Sequence, residues 1–201
     1  MKHVMKSILM SAVLLLTGMA TVTAGGNDNA YKVATDKSEL SWQAKKVTGA
    51  HNGFVKIKEG QLLSDGKKLV GGKFEIDMNT ITVDDIKDET YNGKLLGHLK
   101  SDDFFSVDKF SSAVLEIKSS KNVKGDQYEV NGILTIKGIS NPITFPATIK
   151  MTDKSIVAVA QVTVDRTKYD IKYGSASFFE GIGDKAIEDT FRMDVKISAQ
   201  K

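Results

Sequence analysis

The residues able to do chemistry are few and scattered. Beyond residue 24 the chain has two histidines, His51 and His98, and no cysteine at all. A zinc site without cysteine needs carboxylates beside both imidazoles, and no such spacing surrounds either one. The acidic pairs Asp84-Asp85 and Asp102-Asp103 have the composition of a general acid–base couple. Aspartates at a loop-to-helix edge are ordinarily caps, and both pairs read that way. Gly181-x-Gly183 lacks the rest of a dinucleotide-binding fingerprint and reads as a turn. Gly174-Ser175-Ala176-Ser177 lacks the flanking glycines of a nucleophile elbow. Arg166, just after Val164-Asp165, is the best candidate for a buried or rim charge. It would anchor a loop or meet an acidic head group. No catalytic constellation emerges, and no cofactor or metal is expected.

The most informative stretch is residues 95–105. It places Leu95, Leu96, Leu99, Phe104 and Phe105 around His98 and breaks at Ser101-Asp102-Asp103. It reads as a short helical plug packed beside a sheet. His98 is either a structural histidine on a helix face or a polar group at a cavity mouth. Phe104-Phe105 and Phe178-Phe179 read as core or lid residues.

The elements that must position these residues show period-two alternation, the mark of half-buried strands. It runs through Leu40-Trp42-Ala44, Phe54 to Lys58, Phe74-Ile76-Met78 and Ala113-Leu115-Ile117. It continues through Tyr128 to Ile136, Ile143 to Met151, Ile156 to Val164, and Phe191 to Ile197. That makes about eight strands with one apolar face each. Turn signals stand at Ser64-Asp65-Gly66, Lys124-Gly125-Asp126, Ser140-Asn141-Pro142 and Thr152-Asp153-Lys154. Connections this short imply antiparallel neighbours. Two inserts interrupt the series. Residues 80–111 hold the plug, with one or two short helical turns over residues 84–99, and residues 169–187 form an irregular segment rich in glycine and aromatics. A two-sheet sandwich would leave edges to protect. An eight-stranded antiparallel barrel closes them and can hold one small ligand.

The N-terminus reads as a secretory leader. Lys2 and Lys6 precede an apolar run over residues 8–16, too short to span a bilayer. Val22-Thr23-Ala24 supplies a small-residue cleavage site, so residues 1–24 are expected to be removed. Residues 25–30 read as a flexible leader before a single domain over 31–201. The full chain has 28 basic and 25 acidic residues. Without Lys2 and Lys6 the balance is close to neutral, which argues against nucleic acid as a partner. The remainder has no apolar run long enough for a membrane-spanning helix.

On the inward face of the expected barrel, Ala44, Gly132, Ala147, Ala158 and Ala160 lie among Trp42, Phe74, Ile76, Leu134, Phe145 and Phe191. The small residues either fit the taper of a filled barrel or leave an apolar cavity for a long ligand. Pattern alone leaves the two readings even.

Several segments taken in order resemble the YceI-like family of secreted lipocalin-like proteins. They are Gly49-Ala50-His51-Asn52-Gly53-Phe54, Leu69 to Met78, Leu95 to Phe105 and Gly132 to Gly138. Arg166-Thr167, Tyr173-Gly174-Ser175 and Gly183 to Ile187 complete the set, which spans about residues 31–199. The resemblance implies an all-β, eight-stranded lipocalin-like barrel with helical elements, bacterial export to the periplasm or beyond, and an amphiphilic chain in the lumen. Polyisoprenoids, including quinone-like tails, are the ligands it implies, with fatty-acid-like ligands for some members. It carries no catalytic residues. Asp170 stands where the family has glycine, so a change is expected in the loop near the rim residue Tyr173. Two other readings remain: an enzyme acting on an isoprenoid or quinone with His98 or His51 as acid–base, and a module that binds an envelope protein. A homodimer is compatible with all three.

Overall fold

The computed structural model describes residues 29–201. The expected signal peptide and residues 25–28 lie outside the described residues. The chain forms β1 (Asn29–Val33), β2 (Glu39–Lys46), β3 (Gly49–Ser64) and β4 (Leu69–Asp77). Helix α1 (Glu89–Lys100) follows, then β5 (Ser112–Lys124), β6 (Gln127–Ile136), β7 (Ile139–Met151), β8 (Ser155–Asp165) and β9 (Ile187–Gln200).

Strands β2 to β9 pair antiparallel with their sequence neighbours, and β2 pairs with β9 to close the ring. The expected eight-stranded barrel is therefore present, with one strand more in the chain than expected. The extra strand, β1, shares a position with β2. It pairs with β3 at residues 61–64 and with β9 at 199–200, where β2 no longer reaches. The break between them is a 3₁₀ turn at Thr35–Lys37. The Ala34 N–H donates to the Ser198 carbonyl at 2.8 Å, and the Ser38 hydroxyl donates to the Ala34 carbonyl at 2.8 Å. Asn29 and Ala30, expected in the flexible leader, are thus ladder residues. Tyr31 and Val33 supply the reason: both are buried in the core.

Strand β3 also runs well beyond the expected Phe54 to Lys58. Its first half pairs with β2 and its second with β4, with a register shift at Ile57/Glu59. Glycines and a bulge hide such a strand from a periodicity search. Ser140-Asn141-Pro142, expected as a turn, lies inside β7. The turn is made one step earlier by Lys137 and Gly138, both at positive φ as a two-residue hairpin requires.

The long insert holds a 12-residue helix rather than one or two turns. Its cap is Asp88, whose carboxylate accepts from the Tyr91 N–H at 3.0 Å. Asp84 and Asp85 are therefore not the cap. The insert is stitched to the free edge of β3: the Thr82 N–H donates to the Phe54 carbonyl and the Asp84 N–H to the Asn52 carbonyl. Asp85 accepts from the Asn52 N–H at 2.9 Å and pairs with His51 Nδ1 at 2.8 Å. A Cβ on Gly53 would stand 1.9 Å from the Thr82 carbonyl oxygen, so this edge needs glycine there. Among the described residues, no helix is long and apolar enough to cross a membrane.

Candidate ligand site: the apolar lumen

Period-two alternation sends one face of every strand inward, and the inward faces leave space. Two adjoining cavities of about 110 and about 120 Å³ occupy the lumen. Both touch Ile76, Leu134, Val164 and Met193. Ala147, Ala158 and Ala160 border the lower one, together with Phe74 and Phe145. Ala44, Trp42 and Phe191 border the upper one. The small inward residues therefore do leave room, with one exception. A Cβ on Gly132 would meet the Glu116 carbonyl oxygen at 2.5 Å, so this glycine serves a close backbone approach beside the bulge of β5.

The upper cavity is roofed by the insert. Leu99, Phe104 and Phe105 are buried over it. Phe105 meets Phe104 edge-on at 5.6 Å and Phe191 at 6.4 Å. Asp102 fixes the turn beneath them, accepting from the Ser106 hydroxyl at 2.8 Å and from Lys109 at 2.7 Å. Hydrogen bonds from those two groups, the lysine first, hold its carboxyl below the usual aspartate range.

Arg166 stands at the side of the upper cavity, 2% exposed. Its Nε donates to the Glu188 carbonyl and its Nη2 to the Ile187 carbonyl, each at 3.0 Å. Nη1 donates to the carbonyls of Ile171 at 2.7 Å and Tyr173 at 2.9 Å. Asp189 lies 3.6 Å from Nη2. A guanidinium has five N–H groups; four are hydrogen-bonded to chain carbonyls, and Asp189 lies beyond hydrogen-bond distance of the nitrogen that carries the fifth. Arg166 is thus a clamp on the 170–188 segment. Burial pulls its pKa down, opposed by Asp189 and Asp165. The hydroxyls of Ser175 and Ser177, then Arg166, hold the Asp189 carboxyl below its ordinary value.

Asp170 caps the 3₁₀ turn Arg166–Tyr169 in the left-handed conformation, φ 57° and ψ 32°. Aspartate tolerates that region. Ile171 beyond it is fully buried.

The expected ligand residues fall into three groups. Trp42, Phe74, Ile76, Leu99, Phe104, Phe105, Leu134, Phe145, Ala158, Ala160, Arg166 and Phe191 border the two cavities. Leu95 and His98 lie instead on a separate recess of about 60 Å³ outside the Phe104 plug, shared with His51, Lys45 and Lys46. There His98 packs edge-on against Tyr173 at 4.3 Å and Phe104 at 5.4 Å. Tyr173, Phe178 and Phe179 border neither cavity and are about half exposed, on the loop whose Ile171 and Tyr173 carbonyls Arg166 holds. Lumen residues outside the expected set include Met193, Val195, Leu40 and Ile57. All four lie on segments whose alternation was legible, so that signal was present. Among the described residues, no group of three His, Asp or Glu side chains is placed to hold a metal.

Fold and site together define a small lipocalin-like barrel: a closed antiparallel wall, plugged ends and an apolar interior. The chain belongs to the YceI-like domain family, whose match covers residues 31–199. A relative called UPF0312 protein SAB2563, from Staphylococcus aureus strain bovine RF122, is 32% identical over 151 residues, covering 69% of this chain and 80% of the relative. Among solved structures, BcnA of Burkholderia cenocepacia superposes with a TM-score of 0.66 at 21% identity, over 84% of this chain and 99% of its own. A domain from Saccharophagus degradans, described as polyisoprenoid binding and implicated in plant cell wall breakdown, gives 0.63 at 14% identity, over 85% and 97%. These two likenesses show the shared fold.

Proposed function

We propose that this protein encloses the apolar tail of an amphiphilic lipid of polyisoprenoid type in its lumen. The observation that carries the reading is the lumen itself. The lower cavity is bordered by apolar side chains alone, and the polar neighbours of the upper one, Arg166 and Glu188, sit at its side. Such a space offers hydrocarbon burial and little else, so affinity comes from apolar area at about 25 cal/mol per Å². The description of the Saccharophagus domain as polyisoprenoid binding supports the same class of ligand. Quinone-like and fatty-acid-like lipids share the required tail.

The size of the space bounds what it takes. A 150 Å³ apolar cavity admits benzene, so the two cavities together hold roughly nine carbons, about two isoprene units. A longer tail must spread the barrel or leave it. The leader pattern of residues 1–24 supports export to the periplasm or the medium, where the protein would serve as carrier or store. Sequencing the N-terminus of secreted material should give a start at Gly25; a start at Met1 refutes export by cleavage.

Native mass spectrometry of the purified protein, with lipid extraction, tests the binding reading. A co-purifying long-chain lipid is the expected result. Repeated recovery of an empty barrel that also rejects added isoprenoid alcohols refutes it. The reading of His51 or His98 as an acid–base has less support. Those residues share a recess of about 60 Å³, smaller than a benzene-sized cavity.

A further inference from the structure

Buried apolar side chains crowd both ends of the lumen. Above, it is closed by Leu99, Phe104 and Phe105. Below, Leu62, Leu69, Ile149 and Ile156 are buried to 2% exposure or less. A tail too long for the cavities must therefore pass the plug, the floor or the wall.

The wall is weak at one place. Strand β7 pairs with β6 without a break from Ile139 to Thr148. Strand β8 likewise pairs with β9 from Ser155 to Asp165. Between β7 and β8, however, the ladder runs only from Met151↔Ile156 to Ala147↔Ala160. Beyond that pair, residues 142–146 of β7 face residues 161–165 of β8 without ladder partners. The gap closes again at its far end, where the Asn141 side chain donates to the Lys168 carbonyl at 2.9 Å.

The sequence supplies the cause. The chain has two prolines, Pro142 and Pro146, and both lie in this stretch of β7. Proline has no N–H, so it fits the β6–β7 ladder only where its nitrogen points away from β6, toward β8. The two positions share that parity, so both donors missing from β7 are missing on the side of β8. A closed barrel has no edge; this one keeps a local edge. The same lost donors disfavour an added strand from another polypeptide there.

A groove of about 610 Å³ lies outside the closed end of the seam, bordered by Pro146 and Gln161 of the unpaired stretch and by the paired rungs Ala147↔Ala160 and Thr148↔Val159. Its wall includes the exposed apolar residues Val123 and Val159 and the exposed Pro146. Gln161, Asp194 and Lys196 supply polar groups beside them. Ala147, Ala160 and Val195 border both this groove and the lower lumen cavity. Two alanines, register partners at the last closed rung, are all the side chain β7 and β8 put there.

We propose that the β7–β8 seam is a lateral port through which a single hydrocarbon tail passes between lumen and solvent, its polar head remaining in the outer groove. The port rests on the reading of the lumen as a lipid site and names the route to it. Pro142 and Pro146 keep the port unzipped, and the small side chains of Ala147 and Ala160 keep its inner mouth narrow but clear.

The test separates the route from the site. Two closures are made in the full chain: Pro142→Thr with Pro146→Val, which restores both N–H groups, and Thr144→Cys with Thr163→Cys, closed by a disulfide or a short bis-thiol linker. The cysteine pair extends the existing register, both native threonines are exposed, and the chain has no other cysteine. Transfer of fluorophore-labelled farnesol from protein to phosphatidylcholine vesicles reads the rate. Closure should slow release by about ten-fold or more, the scale of one or two restored hydrogen bonds, with equilibrium affinity little changed. Opening the disulfide or cleaving the linker should restore the fast rate in the same protein. If the native chain binds the probe and the cross-linked chain releases it at the native rate, the port is refuted and the lipid reading stands. If the native chain binds no probe, the lipid reading itself falls and takes the port with it. If the proline variant misfolds, the cross-linked and uncrosslinked forms of the cysteine variant decide.

Discussion

Replacing Ala158 by phenylalanine tests the lumen where its geometry is plainest. Ala158 lies between Ile149 and Ile197 in the ladders and faces the cavity of about 110 Å³. That space is smaller than the 150 Å³ that admits benzene, so a phenyl ring fills it completely and overpacks it at a cost of about 1–3 kcal/mol. Roughly half the enclosed volume disappears, and with it about four buried carbons of a bound tail. At about 0.8 kcal/mol per buried methylene the loss is about 3 kcal/mol, or on the order of 100-fold in affinity. The neighbour Val157 is the control, since its side chain points outward and is 42% exposed. Val157→Phe adds a ring to the outer face and should change affinity by no more than about two-fold. The assay is titration with a fluorescent isoprenoid alcohol, with circular dichroism to show that both variants fold. Native affinity in folded Ala158→Phe, or equal losses in the two variants, refutes the assignment of faces and with it the lumen as the binding space.

Phe105→Ala should cost about 3–5 kcal/mol, since the ring is buried in the roof against Phe104 and Phe191; urea unfolding reads it, and a loss under 1 kcal/mol would show that the plug contributes little. Arg166→Gln removes the charge that Asp189 faces and most of the fork to four carbonyls, so a loss of about 3–5 kcal/mol is expected, with faster limited proteolysis within residues 170–187. A protease pattern identical to that of the native chain would contradict the clamp. Asp189 has a folded pKa below its unfolded value of about 3.9, so its contribution is complete above that pH and is lost as pH falls through the folded value. Asp189→Asn should therefore flatten the fall in stability below about pH 4, as read by unfolding followed along an acid series; parallel curves for the two proteins would remove Asp189 from the account.

Much of the fold is legible in local pattern because a strand's alternation is local: each side chain alternates faces whatever its partners do. Leu40 to Ala44 and Phe191 to Ile197 announce themselves in this way. β1 does not, because five residues with two core side chains are too short a sample, and the first half of β3 is masked by glycines serving the insert. The role of Arg166 was legible as a choice between loop anchor and head-group contact. Its four carbonyl partners, at Ile171, Tyr173, Ile187 and Glu188, decide for the anchor. Phe178-Phe179 reads as core or lid from the sequence, and the loop held by that clamp leaves both rings half exposed, outside the core.

The sequence by itself determined the antiparallel strands, the inward set of apolar residues, the plugging insert and the family. Only the tertiary structure decided how much space those residues leave, which end of the insert caps its helix, and where the wall stays unzipped. Face is set by one residue and its neighbours. Enclosed volume is set by side chains from eight strand positions that meet only when β2 reaches β9. Gly132 and Ala158 both look like empty space in the sequence, but one is filled by the carbonyl of Glu116 and the other borders a cavity. Pro142 likewise reads as the end of a turn until β6 and β8 lie on either side of it, and only then does its missing N–H become a gap in the wall.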